Sequence, residues 1–297
     1  MKKFILIISA VLMLSSTAMN ARTVTVTNND PGKFTGIDVG FVFNVEFVPG
    51  DKYSVSCDVE ADYENYLYTK VVNGILVVKF NNLPKKMEIF NNSKNFRCVV
   101  TAPFLNQINL GGSSSFVCNQ LVPCSMQEFS LNTGGSSKVI KLEVDALKIG
   151  LNCGGSSSVN LAGKYAKCEL DLGGTSKAYL MVDAAELEAE IGGTSKLEAT
   201  GEFTSVEIEA AGTSKVTAKG KCDDMELYLS GTASVNTLEM PANDIKIEAS
   251  GASRAKVNVE KSIKASLGGA SGVSYMADSD IEMHPEVSKG ASFKRIQ

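Results

Sequence analysis

The chain of 297 residues is long enough for one large or two ordinary domains, and its 44% apolar and 21% charged residues are typical of a folded protein. The formal net charge is −4, Trp is absent, and the lysines and arginines form no basic stripe. We therefore expect no nucleic-acid partner, because such proteins carry a clustered positive surface.

The first 21 residues have the three parts of a secretory signal peptide. Lys2 and Lys3 precede an apolar run over residues 4–14, and small and polar residues follow. Cleavage is expected after Ala18 or Ala21, and losing the two lysines changes the net charge from −4 to −6. A membrane anchor is the alternative, but the run is short for a bilayer. We expect a protein of the periplasm, the outer-membrane surface or the exterior, with no membrane-spanning segment in the mature chain.

Residues 22–107 are rich in strand signals and lack an obvious repeat. The stretch FTGIDVGFVFNVEFVPGD, residues 34–51, alternates apolar and polar positions with the period of a half-buried strand. YSVSCDV and NGILVVKF have similar character. We expect irregular opening coils, or a cap that covers the first edge of the following structure. The predicted inward residues of the first stretch are Ile37, Val39, Phe41, Phe43, Val45 and Phe47.

A repeat occupies residues 108–297. Gly, then Ser, Thr or Ala, then Ser recurs at intervals of 18–23 residues, and four consecutive intervals are of 19. Between two glycines, apolar residues occupy every second position in two runs separated by a step of three. The period of two indicates a strand with one buried face, and the step of three indicates a corner. Nine copies begin at Gly112, Gly135, Gly155, Gly174, Gly193, Gly212, Gly251, Gly269 and Gly290, and a tenth, degraded to Gly-Thr-Ala-Ser, begins at Gly231.

This repeat predicts an all-β, right-handed parallel β-helix with coils of about 19 residues. Coils about 4.8 Å apart would stack into a rod roughly 45 Å long. The glycine suits a tight corner, and the Ser two positions later would bond nearby backbone from an inward position. A glycan or ice-like binding surface is the alternative for these stacked hydroxyls. The tail over residues 284–297 is expected to close the far end, and the predicted inward columns include Gly163, Gly201 and Gly220.

The cysteines are odd in number and show no metal-binding C-x-x-C spacing. Several fall on predicted inward columns, where a thiol serves as a small apolar side chain. We therefore expect buried free thiols, with a bridge between Cys118 and Cys124 as the alternative. The seven positions are 57, 98, 118, 124, 153, 168 and 222.

The sequence resembles a known family of exported proteins. The F-x-x-I-x-V alternation near residue 34, VNGILVVKF, VTAPFLNQINLGGSSSF and the serial G-[ST]-S turns resemble the auto-transporter adhesin head domain family, also called GIN. The resemblance covers about residues 33–297 and implies a right-handed β-helix of Gram-negative bacteria with a cell-surface or adhesive role. It implies no catalytic residues, and no translocator barrel or sorting tail is visible in the sequence.

No motif points to catalysis or to a cofactor. The single histidine, His284, precedes Pro285 near the end of the chain and is interpreted as an ordinary surface residue. Sugar-cleaving enzymes need two placed carboxylates and usually aromatic platforms, whereas Trp is absent here. We expect no catalytic residue and no cofactor.

Two outward columns of acidic side chains are the most distinctive charged feature. They lie 14 and 16 positions after the corner glycines, and a ladder of Lys177, Lys196 and Lys215 is expected to relieve their repulsion in part. A face that binds cations or basic partners and a solvated, aggregation-resistant face are both compatible with this pattern. No Asp-x-Asp-x-Asp loop marks a strong calcium site, so no metal site is predicted. The acidic residues are Glu169, Asp171, Glu188, Glu190, Glu207, Glu209 and Glu226.

Taken together, these features predict an exported, non-enzymatic, adhesin-like binding protein of the cell surface or periplasm. The sequence does not identify its ligand, and a glycan and a surface protein are the candidate partners. A β-helix carbohydrate-active enzyme, either a polysaccharide lyase or a glycoside hydrolase, is the first alternative. A structural envelope protein is the second. The predicted organisation is a signal peptide (1–21), a cap or irregular coils (22–107) and a regular β-helix (108–297).

Overall fold

The computed structural model describes residues 22–84, 96–278 and 280–296, so the predicted signal peptide lies outside the described residues. The described chain is all-β apart from one 3₁₀ turn, Ala61–Tyr66, which confirms the predicted fold class. The strands are β1 Thr23–Asn28, β2 Gly36–Val39, β3 Phe43–Pro49, β4 Ser54–Glu60, β5 Leu67–Val72, β6 Ile75–Phe80, β7 Phe96–Ala102, β8 Gln107–Leu110, β9 Ser115–Val117, β10 Val122–Pro123, β11 Glu128–Thr133, β12 Lys138–Asp145, β13 Lys148–Cys153, β14 Ser158–Leu172, β15 Lys177–Ile191, β16 Lys196–Ala210, β17 Lys215–Leu229, β18 Ser234–Ala249, β19 Arg254–Leu267, β20 Gly272–Met276, β21 Glu282–Val287 and β22 Ser292–Arg295.

From β8 onward the strands stack in parallel, each coil on the previous one, into a β-solenoid of about 10 turns with about 19 residues per coil. Equivalent residues lie in register from coil to coil, and their side chains fill the interior. One such buried column runs through β14–β17 as Val159, Ala178, Leu197 and Val216. The alternation along each strand thus places every second side chain in one continuous core.

The repeated phrase forms a tight corner whose backbone groups bond to the next coil. The Thr175 N–H donates to the carbonyl oxygen of Gly155 at 2.7 Å, and the same bond recurs along the stack. In eight of the ten copies the Ser two positions after the glycine is buried, and Ser176 Oγ donates to Gly173 O at 2.8 Å. The exceptions are the copy at Gly231, which has Ala233 there, and the last copy, whose Ser292 is exposed. The inward, structural role predicted for these serines is confirmed.

Three predicted inward glycines do not face the core. Gly163 and Gly201 are half-exposed and Gly220 is exposed, because the chain turns a second corner at this position. A Cβ on Gly201 would lie 1.7 Å from the carbonyl oxygen of Val182, so the position is small because backbone passes close to it. The prediction for these three residues is wrong.

At the N-terminal end the stacking order differs from the chain order. The β2–β3 coil lies between the coil built from β6 and β7 and the coil built from β8 and β9. Outside these coils, β4 runs antiparallel to β7 and to β1, and β5 runs antiparallel to β6. Residues 22–107 therefore contain both parallel coils and antiparallel strands that extend the same sheet beyond β6 and β7. A division at residue 107 remains a proposal, since β2 pairs directly with β8 across it.

Two cysteines form a disulfide that their spacing in the sequence did not indicate. Cys57 on β4 and Cys98 on β7 face each other in the antiparallel register and are bonded. Cys118, Cys153, Cys168 and Cys222 are free and buried, as predicted.

The bridge considered between Cys118 and Cys124 is absent. The Cys118 thiol is buried and bonds to Gln120 O at 3.2 Å, whereas the Cys124 thiol lies 3.4 Å from Asn106 Oδ1. The two sulfur atoms thus have separate partners.

The described residues of the tail do not form a closing cap. They form β21 and β22, which continue the parallel stack on β19 and β20. Every side chain of these two strands is exposed or half-exposed. The expectation that this tail covers the far end is wrong, because it adds a further coil instead.

Candidate functional site: the acidic face

The seven predicted acidic residues lie together on the outer surface of β14–β17, which we call the acidic face. Glu169, Glu188, Glu207 and Glu226 are in register, and all four are half-buried. The exposed column beside them contains Asp171, Glu190 and Glu209, and half-exposed Tyr228 completes it. Like charges thus stack at the coil spacing of about 4.8 Å.

Two lysines neutralise the N-terminal end of the face. Lys167 Nζ lies 2.6 Å from Glu188 Oε1 and 3.3 Å from Glu169 Oε1. Lys148 Nζ lies 2.8 Å from the same Glu169 oxygen. Hydrogen bonding to Lys148 lowers the pKa of Glu169, and hydrogen bonding to Lys167 lowers the pKa of Glu188. Both carboxylates are held ionised at neutral pH.

Lys246 neutralises the C-terminal end in the same way. Its Nζ lies 3.0 Å from Glu226 Oε2 and 2.7 Å from the Tyr228 hydroxyl. The Tyr228 hydroxyl donates to Glu226, and this bond, followed by the one from Lys246, lowers the pKa of Glu226. The end of the acidic column is therefore a three-residue network.

Glu207, in the middle of the half-buried column, has a raised pKa. Burial is the largest cause, repulsion from Glu226, Glu188 and Glu209 raises the pKa further, and Lys246 lowers it slightly. A positive group placed beside Glu207 would relieve this repulsion.

The predicted lysine ladder lies elsewhere on the coil. Within the described chain, no ion pair joins Lys177, Lys196 or Lys215 to the acidic face, and Lys196 instead pairs with Glu198. The compensation comes from Lys148, Lys167 and Lys246, whose positions follow from the coil register.

A groove of about 730 Å³ runs beside the exposed acidic column. Its walls include Asp171, Glu190, Glu209, Tyr228 and Glu248, and corner residues such as Gly192 form the other side. The groove is an electronegative surface suited to cationic groups. Across residues 22–84, 96–278 and 280–296, no three His, Cys, Asp or Glu side chains converge as metal ligands would.

His284 lies on β21, away from the strands of the acidic face. Its Nε2 is 2.8 Å from Glu282 Oε1, and both side chains are exposed. It occupies the ordinary surface position that the sequence indicated. In the described part of the chain, no helix has the length and apolar character needed to cross a membrane.

These features define a class of protein: a parallel β-solenoid with charged columns on its outer faces. The chain belongs to the family described as "Putative auto-transporter adhesin, head GIN domain", which matches residues 33–180 and 180–279. The resemblance inferred from the sequence is thereby confirmed. No curated protein matches the chain.

Solved structures from Parabacteroides are similar to the chain. A "putative adhesin" of P. distasonis is 12% identical with a TM-score of 0.50, and the match covers 93% of this chain and 98% of that one. A "putative adhesin" of P. merdae is 13% identical with a TM-score of 0.45, covering 94% and 98%. A "putative lipid binding protein" of P. distasonis is 15% identical with a TM-score of 0.47, covering 93% and 97%. At these identities the first match supports the fold alone.

Proposed function

We propose that the protein is an exported, non-enzymatic binding protein of the cell surface or periplasm, adhesin-like in the broad sense. The observation that carries this proposal is the family match, which extends over most of the chain after residue 21. The solenoid supports it physically. Parallel coils hold their outward side chains at fixed spacing, so a partner meets an ordered array at little entropic cost.

The acidic face is the proposed surface for any basic partner. Glu207 has a raised pKa from burial and from its acidic neighbours, and Glu190 and Glu209 line the open groove. A cationic group bound there would relieve several repulsions at once. We propose no metal site and no catalytic residue on this face.

Binding is tested with the purified chain from residue 22 on a glycan array and on immobilised surface proteins, with a product assay on each hit. We expect binding without turnover. New reducing ends or unsaturated products would instead establish a carbohydrate-active enzyme. Absence of binding to either class of ligand would favour a structural envelope protein. An E190Q/E209Q variant shows whether the acidic face contributes.

Export is tested separately by the mass of the protein recovered from its natural compartment. A chain that begins at residue 19 or 22 supports a cleaved signal peptide. An intact Met1 on a cytoplasmic protein would contradict export.

A further inference from the structure

A trough crosses the outer surface of β14. It lies at the start of this long strand, whereas the acidic face lies at its end. Three short side chains form its floor: Ser158, Asn160 and Ala162. The next coil supplies one wall in register, with Lys177 beside Ser158, Tyr179 beside Asn160 and Met181 beside Ala162. The preceding coil, β12, supplies the other wall, which begins with Lys138 beside Ser158.

Beyond their first residue the walls carry the apolar side chains Ile140, Tyr179 and Met181, with Lys141 of β12 as a charged exception. Met181 exposes 70% of its surface, because its neighbours in register are the short residues Ala162 and Thr200. On β12 the register shifts between Val139 and Leu142, which leaves both Ile140 and Lys141 on the outside. Asn160 Nδ2 donates to Ile140 O at 3.0 Å and fixes this bulge. The resulting cavity measures about 690 Å³. Its lining includes Ile140, Lys141, Tyr179, Met181 and Glu198, and Glu198 is ion-paired with Lys196. Lys138, Ser158 and Lys177 lie beyond the end of this cavity along the same strands.

One end of the trough is positive. Lys138 and Lys177 lie one coil before and one coil after Ser158, so their backbones are two coil spacings, about 10 Å, apart. Neither lysine forms an ion pair within the described residues. Lys215 occupies the equivalent position two coils after Lys177, but its coil continues with Thr217 and Lys219 and offers no apolar wall. The combination of paired lysines and an apolar channel therefore belongs to the β14 coil.

We propose that this trough binds a monomeric single-chain anionic amphiphile. Its carboxylate lies over Ser158 between Lys138 and Lys177, and its alkyl chain runs over Ala162 between Ile140 and Met181. The floor from Ser158 to Ala162 is about 13 Å long, which accommodates a chain of roughly ten carbons at ordinary bond lengths. The site lies on a different face from the acidic groove and does not depend on the proposed adhesive role.

An alkyl chain fits this channel better than an extended peptide. The strands on both sides already use the backbone groups of β14 in the parallel ladder, so no free edge is available for β-augmentation. An alkyl chain requires only apolar contact and one ion-paired head group. A phospholipid surface is disfavoured because the floor of the channel is a single strand, with walls on the two neighbouring strands about 10 Å apart.

The test compares three compounds that share a ten-carbon chain, each kept monomeric, by titration calorimetry on the chain from residue 22. Decanoate carries a negative head, decyltrimethylammonium a positive head and decyl maltoside a neutral one. We expect decanoate to bind tightest. Affinity should fall as salt rises, and it should fall by about twofold for each methylene removed, the value for a half-buried methylene.

The variants separate the head site from the chain site. K138Q/K177Q should weaken the binding of decanoate by about three- to tenfold, the range for two exposed ion pairs. The affinity for decyl maltoside should stay unchanged. A162F fills the channel from an outward position and should abolish binding of both compounds. K215Q/K219Q removes two lysines from the same sheet without an apolar wall and should have no effect.

Several results would overturn the proposal. These are the absence of decanoate binding, equal binding of all three compounds, or decanoate binding that survives A162F. Tighter binding of an extended acidic peptide would reassign the channel to a protein partner. If A162F abolishes decanoate binding but preserves glycan or surface-protein binding, the trough stands while the adhesive surface lies elsewhere. The opposite pattern refutes the trough alone.

Discussion

The corner glycines show how stacking, more than backbone angle, selects a residue. Gly193 has φ of +67°, and an added Cβ would lie 2.4 Å from the carbonyl oxygen of Gly174 on the preceding coil. Phe41 holds the corresponding corner between β2 and β3 with φ of 64° and is 39% exposed. The prediction that Phe41 faces inward is wrong, because it is the turn residue. An L residue thus tolerates the angle at this corner, at roughly 1–2 kcal/mol.

Replacing Gly193 by Ala should therefore cost about 3 kcal/mol or more, since steric overlap adds to the strain of the left-handed conformation. Gly74 is the matched control: its φ is +77°, and an added Cβ would meet nothing within 4 Å. G74A should cost only about 1 kcal/mol. Denaturant unfolding of both variants measures the difference. Equal losses would show that the angle alone selects glycine.

The thiols should differ sharply in reactivity. Burial raises the pKa of Cys168 to about 12 and that of Cys153 to about 11, so almost no thiolate exists at pH 8. Cys124 is half-exposed. Iodoacetamide should label Cys124 first in the native protein and reach the buried thiols only after unfolding, as read by mass spectrometry. Fast native labelling of Cys168 would contradict its burial.

At the scale of the strands, the acidic face consists of columns of carboxylates whose negative charge is offset by lysines at both ends. Lys167 lowers the pKa of Glu188, and the Tyr228 hydroxyl followed by Lys246 lowers the pKa of Glu226, whereas Glu207 between them has a raised pKa. Ionised Glu188 therefore favours folding and ionised Glu207 opposes it. Because both side chains are only half-buried and still reach solvent, each effect is expected to be below about 1 kcal/mol.

E207Q should raise the melting temperature at pH 7 by up to about 2 °C. The gain should disappear as the pH falls through the raised pKa of Glu207, since the wild-type side chain then becomes neutral as well. E188Q is the matched control and should lower the melting temperature at pH 7. That loss should fade as the pH falls through the lowered folded pKa of Glu188. Thermal melts between pH 3 and pH 8 measure both, and a destabilised E207Q would show that Glu207 has a favourable partner.

At the scale of the whole molecule, one hydrophobic core runs the length of the described stack, and a disulfide crosslinks its N-terminal end. Each coil contacts mainly its neighbours, so local damage should spread poorly along such a solenoid. The Cys57–Cys98 bond joins antiparallel strand β4 to its neighbour β7, which belongs to the first coil of the stack.

Removing this disulfide should destabilise the N-terminal end. The bonded cysteines are 41 residues apart, and closing such a loop contributes about 4 kcal/mol in the chain-entropy treatment. Reductant should lower the melting temperature of the wild type and leave C57A/C98A unaffected. Hydrogen exchange should show lost protection in β4 and β7 while β16 keeps its protection. Uniform loss along the rod would contradict this local picture.

Calcium should have little effect on stability. The carboxylates form open columns rather than a closed set of ligands, and the described residues contain no metal-type cluster. Millimolar calcium should shift the melting temperature only slightly, by mass action on weak sites. A large rise that E188Q/E207Q/E226Q abolishes would establish an ion site on the acidic face. A large rise that survives these changes would place the ion elsewhere.

The strand architecture was predictable because both of its signals are local. An alternation of two and a corner every nineteen residues occur within single coils, so Leu170, Ile208 and Leu227 could be assigned to the core from their positions alone. The same register places Glu188 and Glu207 on one outer column. Because the coils stack in register, a residue type that repeats at one position of the coil forms a column on the surface of the solenoid.

What the sequence determined by itself is therefore the solenoid, its coil length, its inward columns and the acidic face. The tertiary structure alone decided the Cys57–Cys98 bond, the inverted stacking of β2–β3 and β6–β7, the lysines that compensate Glu188 and Glu226, and the trough at Ala162. These features depend on which segments become neighbours across tens of residues, or on how side chains of different lengths adjoin in successive coils. A periodic pattern specifies what each coil repeats, whereas the contacts between unlike residues exist only once the coils are stacked.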